Sequence, residues 1–153
     1  MRLLITNDDG IDAPGIQSLI RAVSRWIDRA PAGEEREALV VAPHVNNSGM
    51  SAAVGDVFSR SAIPYRRHDI DGAPNVPAFA LEATPALCTI IGALGSFGER
   101  PDVVLSGINA GVNVGRSVLH SGTVGAILTG AQLGLSGLAV SVNWGLTRKY
   151  NSA

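Results

Sequence analysis

At 153 residues the chain has room for one domain with a substantial core. Apolar residues make up 46% and charged residues 16%, which argues against a disordered chain. The net charge is -1 and the basic residues form no stripe, so duplex nucleic acid is not an expected partner; a small anion held by backbone N–H groups is compatible with this balance.

In chain order, the first stretch is "MRLLITNDDGIDAPGI". Leu3–Thr6 reads as a buried strand, Asn7 to Asp9 as its polar tip, and Gly10 as a turn. A helix is expected over residues 14–29, with Pro14 in the first turn and Ile16, Leu19, Ile20, Val23, Trp26 and Ile27 on one face. Residues 29–37 form a solvated loop before a second strand, Ala38–Ala42. Residues 44–80 are rich in Pro, Gly and charge and alternate only weakly, so they read as an irregular excursion carrying a hairpin at most. A second helix is expected over 85–94, with the lone Cys88 packed inside it as a structural thiol. A third strand spans Val103–Ser106, a third helix 122–133 and a fourth buried strand Leu138–Val142. Residues 144–153 are a polar tail carrying Trp144 and Tyr150. Strands alternating with helices predict an α/β fold, a mainly parallel sheet covered on both faces over residues 1–143. The chain opens without a charged-then-apolar leader, and no apolar run reaches membrane-spanning length. The expectation is therefore a cytoplasmic protein with no membrane partner.

Open α/β sheets bind ligands beyond the carboxyl ends of their strands. That rule gathers Asp8 and Asp9 after the first strand, Asn46, Asn47 and Ser48 after the second, and Ser106, Asn109 and Asn113 after the third. The set is rich in oxygen and poor in His and Cys, which favours hard cations: Mg²⁺, Mn²⁺ or Ca²⁺. A divalent ion would offset the repulsion between adjacent carboxylates; an Asp capping the turn beside a solvated neighbour is the plainer alternative. "HSGTVG" has the grammar of an anion site, with Ser121 as N-cap, Gly122 allowing close approach and Thr123 adding a hydroxyl in the first turn. An ordinary capped helix fits that segment equally well. Neither GxGxxG nor GxxxxGK[ST] is present. His44 at a strand end is a candidate acid for a leaving alkoxide, with a loop histidine as the alternative. An aspartyl-phosphate mechanism would want Asp-x-Asp and a downstream lysine, and the single lysine is Lys149 in the tail.

Taken together, "NDDGIDAPGI", "VVAP…NSG", "PDVVLSGINAGVNVG" and "SGTVGA", in this order, resemble the SurE family of 5'/3'-nucleotidases. The resemblance implies a Rossmann-like three-layer α/β sandwich and metal-dependent hydrolysis of nucleoside monophosphates by a homodimer or higher homo-oligomer. By motif position it places metal ligands on Asp8, Asp9, Ser48 and Asn109. Phosphate contacts fall near Asn113 and on Ser121, Gly122 and Thr123, and Asp8 and Asp9 become the catalytic candidates. The chain departs from the family pattern at His44, Asn47, Ala86, Arg116 and His120. Family chains also continue well beyond residue 153, so the tail is expected to be the start of a further segment. A metal- and nucleotide-binding module with little turnover is the alternative reading. Ligand binding without phosphate release would identify it.

Overall fold

The computed structural model describes residues 1–57 and 59–143. The expectations about the tail, with Trp144, Lys149 and Tyr150, lie outside the described residues. The centre of the fold is β1 (Arg2–Thr6), flanked in parallel by β2 (Glu37–Pro43) and β5 (Val103–Ala110). Successive side chains of a strand point to opposite faces. Leu3 and Ile5 accordingly enter one core with Ala38, Val40 and Ala42, while Leu4 enters a second with Val41 and Val104.

Each core has its own helical cover. Helix α1 (Pro14–Asp28) seals the first with Ile16, Ile20 and Val23, the spacing expected of a helix with one apolar face. Helix α2 (Pro85–Ala93) and helix α3 (Gly122–Gln132) cover the second, where Cys88 and Ile127 pack. Three layers result, as expected. Burial of Cys88 pushes its thiol well above the usual range, so it stays protonated and inert, a packing group as the sequence suggested.

The stretch read as carrying a hairpin at most does hold an antiparallel pair, but one of its strands also joins the main sheet, which was not foreseen. β4 (Ala78–Leu81) pairs in parallel with β2, and β3 (Tyr65–Arg67) pairs antiparallel with β4. The segment "AFAL" is short, half alanine and preceded by Pro77, so its local β signal is weak; its stability as a strand comes from partners distant in sequence. A 3₁₀ segment, Gly115–His120, was also unforeseen. The last strand, β6 (Ser136–Val142), was expected to be buried and is mostly exposed, with Leu138 55% accessible. Its apolar composition predicted burial, but among the described residues it forms the outer edge of the sheet beside β5. His68 is partly exposed and lies 3.3 Å from Asp12.

The sheet order is β3-β4-β2-β1-β5-β6. From β1 the chain winds outward through β2 and β4, then returns to place β5 on the other side of β1. The direction therefore reverses at β1, and the crevice lies beyond the carboxyl ends of β1 and β5.

Candidate functional site

The exit of β1 is shaped by Gly10. Its φ of +94° suits glycine, and a Cβ there would stand 2.9 Å from the Val45 carbonyl carbon. The Asn7 side-chain amide closes the turn by donating to the Gly10 carbonyl at 2.8 Å. This tight exit presents Asp8 and Asp9 together above the sheet.

Three segments converge on them. The Asn47 N–H donates to the Asp8 carbonyl at 2.6 Å, and the Ser51 N–H donates to the His120 carbonyl at 3.2 Å. The loop holding Ser48 is thus tied to β1 at one end and to the entrance of α3 at the other. From β5, the Ala110 N–H donates to Asp9 Oδ2 at 3.0 Å, which sets Asn109 one residue from that carboxylate. From α3, the Thr123 hydroxyl donates to Asp8 Oδ1 at 2.7 Å in a buried contact. Gly122 makes room: a Cβ would fall 2.7 Å from Asp8 Cβ and 3.1 Å from its Oδ2.

The start of α3 therefore faces a carboxylate of the chain itself. Thr123 was expected to contact phosphate; here its hydroxyl supports Asp8. Ser121 caps the helix, accepting from the Val124 N–H at 3.1 Å. Asn113 is engaged elsewhere, donating from Nδ2 to Ser141 Oγ of β6 at 2.9 Å. Ser48 is exposed, and its N–H is held by Asn46 Oδ1 at 2.8 Å. His120 is exposed and contributes its carbonyl rather than its ring. His44 stands at the end of β2 with Nδ1 3.0 Å from the Leu81 carbonyl. A carbonyl only accepts, so Nδ1 carries the proton and Nε2 is the ring position left over. The contributions that sequence reasoning missed are the main-chain N–H groups of Asn47 and Ala110. Every residue but proline has such a group, and no residue pattern marks these two.

Asp8 is 3% exposed, and burial raises its pKa above the ordinary 3.8; the Thr123 hydrogen bond works against that rise and the Asp9 charge adds to it. Among the described residues no arginine or histidine forms an ion pair with either carboxylate. The linkage has a definite sign. A carboxyl with a raised folded pKa binds its proton more tightly when folded. Stability then falls as pH rises from the unfolded value through the folded one, and the full cost is present above it. Asp8→Asn keeps an oxygen for Thr123 and removes the charge. In chelator at neutral pH it is expected to unfold at higher temperature than the parent chain, with the gain shrinking as pH is lowered toward 3.8. Thermal unfolding followed against pH checks this, and an equal or lower midpoint at neutral pH contradicts it.

The donor chemistry fits an oxygen-seeking divalent cation. Two carboxylates without a basic partner among the described residues meet the end of β5 through the Ala110 N–H, and the preceding residue, Asn109, donates Nδ2 to the Gly111 carbonyl at 2.7 Å and so leaves its side-chain oxygen available. Asn7 Oδ1, beside Asp8, is buried without a hydrogen-bond partner among the described residues, as are Thr6 Oγ1 and Ser106 Oγ on the last rung that pairs β1 with β5. Among the described residues no three His, Cys, Asp or Glu come together, so a cation at the two carboxylates would draw its other ligands from amide, hydroxyl and water oxygens.

Known proteins resemble this chain over most of its length. The family model described as "Survival protein SurE" matches residues 3–153. A 5'/3'-nucleotidase SurE of Cronobacter sakazakii is 43% identical over 143 residues, covering 94% of this chain and 50% of the relative. A 5'-nucleotidase SurE of Deinococcus radiodurans is 41% identical, covering 92% and 47% respectively. The crystal structure of a SurE protein from Aquifex aeolicus superposes with a TM-score of 0.69 at 30% identity, covering 92% of this chain and 50% of that one. The chain spans about half the length of the curated relatives it matches.

Proposed function

The chain belongs to the SurE family, and from that premise we propose that it is the core of a divalent-metal-dependent phosphatase releasing phosphate from nucleoside 5'- or 3'-monophosphates. The observation that carries the reading is the buried Asp8 with the half-buried Asp9 beside it, neither paired with a basic side chain among the described residues, at the point where the sheet reverses direction. Asp8, Asp9, Asn109 and Ser48 would hold the cation, Mg²⁺ or Mn²⁺. When bound, it would polarise a phosphoryl oxygen and lower the pKa of a coordinated water.

The chain's own residues do the rest. Thr123 fixes one oxygen of Asp8 and the Ala110 N–H fixes one oxygen of Asp9, so both carboxylates are oriented before any ligand arrives. Main-chain N–H groups at the first turn of α3 favour negative charge and would receive the non-bridging oxygens of the phosphoryl group, with Ser121 and Gly122 at that entrance. Asn113 would join them by exchanging its Ser141 contact for the substrate. The two carboxylates share the catalytic roles, one of them taking the proton of the attacking water. The relatives' printed names support a nucleoside monophosphate as substrate. Among the described residues no helix is long and apolar enough to cross a membrane.

The test is phosphate release from a panel of nucleoside monophosphates with Mg²⁺ or Mn²⁺. Release that stops on adding EDTA and resumes on restoring the metal is expected. Release unaffected by EDTA, or absent with every substrate, would reject the proposal.

A further inference from the structure

The last rung that joins β1 to β5 pairs Thr6 with Ser106, and it is chemically unlike the rungs beneath it. Alternation along a strand sends Thr6 to the same face as Leu4, and Ser106 to the same face as Val104, the face that α2 and α3 cover. Both residues are completely buried. Neither Thr6 Oγ1 nor Ser106 Oγ has a hydrogen-bond partner among the described residues, each other included. Two residues beyond Thr6, Asp8 also faces α3, where it meets Gly122 and takes the Thr123 hydroxyl. Two hydroxyls thus lie between an apolar core and a buried carboxylate. The third oxygen of this kind, Asn7 Oδ1, belongs to a side chain turned back to the Gly10 carbonyl and is not part of the rung.

The helices opposite explain why the hydroxyls stay unanswered. Residues four apart on a helix share a face. Gly122 of α3 packs on Asp8, and Gly130 packs on Val104, whose Cγ2 would stand 2.8 Å from an added Cβ. Ala126, midway between them and fully buried, falls at the level of the hydroxyl rung and offers it only a methyl group. From α2, Thr89 turns its methyl toward the same seam, 3.7 Å from a Cβ on Gly130, and spends its hydroxyl on the Pro85 carbonyl. Leaving one buried hydroxyl unsatisfied weakens folding by roughly tenfold in the equilibrium constant. Water answers such a pair, because it donates and accepts as each hydroxyl does, and interior waters make about two to four hydrogen bonds. The rung itself carries no charge to draw a cation.

We propose that Thr6 and Ser106 bind one structural water between β1, β5 and α3, and that through it they act as positioning residues for Asp8. The water site stands on burial and register alone; its consequence for Asp8 as a metal ligand rests on the phosphatase reading. The water accepts from one hydroxyl and donates to the other, so the strand end that presents Asp8 is braced from below.

A crystal structure of the full chain, at a resolution that shows ordered water, is the direct test. One water within hydrogen-bond distance of both Oγ atoms is expected; hydroxyls bonded to each other or to nothing overturn the site. Thr6→Val and Ser106→Ala probe the same point in solution. Exchanging a hydroxyl for a methyl of the same shape is neutral or stabilising where the hydroxyl has no partner, and destabilising where it holds a water. Each variant is expected to raise the unfolding equilibrium constant about five- to tenfold in denaturant titrations. The double variant should raise it by less than the product of the two, since both remove the same water. Thr6→Val as stable as the parent, or more stable, overturns the proposal. For the positioning role, Mn²⁺ should bind Thr6→Val about tenfold more weakly, and Thr6→Ser, which keeps the hydroxyl, should restore the parental affinity. Parental Mn²⁺ affinity in Thr6→Val overturns that role. Failure of the parent chain to bind Mn²⁺ would instead overturn the metal reading, with the crystal structure and the unfolding titrations still deciding the water.

Discussion

Asp9→Asn is expected to lower metal-dependent phosphate release by at least about a hundredfold while leaving the fold intact. Asp9 accepts the Ala110 N–H at 3.0 Å, and an asparagine oxygen can accept the same bond, so β1 and β5 stay joined. What disappears is a formal negative charge next to the buried Asp8. Loss of the groups that merely orient a metal's ligands typically lowers affinity or activity about 10- to 100-fold, and loss of a ligand's charge should exceed that. Steady-state phosphate release with Mn²⁺, together with circular dichroism and thermal unfolding of the same sample, checks the claim. A variant with unchanged fold and more than a tenth of the parental activity would count against Asp9 as a ligand.

Gly122→Ala should be nearly as damaging by a different route. Its new methyl would fall 2.7 Å from Asp8 Cβ and 3.2 Å from Pro85 Cγ, against two elements that meet at the start of α3. Neither neighbour is the free end of a flexible side chain, since Asp8 is held by Thr123 and Pro85 opens α2. Overpacking of this kind costs about 1–3 kcal/mol. Displacing Asp8 should also lower phosphate release by about 10- to 100-fold, as loss of a ligand's support does. Gly98→Ala is the natural control, because nothing lies within 4 Å of its added Cβ and its φ is not in the left-handed region. The control should stay within about 0.5 kcal/mol of the parent. Denaturant unfolding and activity of the two variants side by side decide the matter; equal behaviour would mean that the Gly122 approach has no functional consequence.

These effects show which parts of the molecule are written locally. The strands through Leu4, Val40 and Val104 and the helix through Ile16, Ile20 and Val23 announce themselves, because burial imposes a period that the sequence must obey. The exits of those strands were legible for the same reason, and with them Asp8, Asp9 and the loop of Ser48. β4 was not legible, since Ala78 and Ala80 acquire their burial from β2, nearly forty residues away. β6 misled in the opposite sense: Leu138 and Val140 look like core residues, yet among the described residues the strand has one neighbour in the sheet.

The site divides along the same line. Oxygen-rich strand ends marked the place, and family resemblance supplied the roles, but partner assignment needed three dimensions. Thr123, expected at a phosphate, donates its hydroxyl to Asp8 across 115 positions of sequence. Asn113 is tied to Ser141. Two main-chain donors, from Asn47 and Ala110, complete the arrangement without any signature.

The most direct test of the central claim is paramagnetic broadening of backbone amide signals by substoichiometric Mn²⁺. The account predicts broadening centred on residues 7–10, 47–49, 109–111 and 121–124, removed by EDTA and absent in Asp9→Asn. Broadening centred on the exposed acidic loop at Glu34 and Glu35, with the strand-end amides sharp, would contradict it.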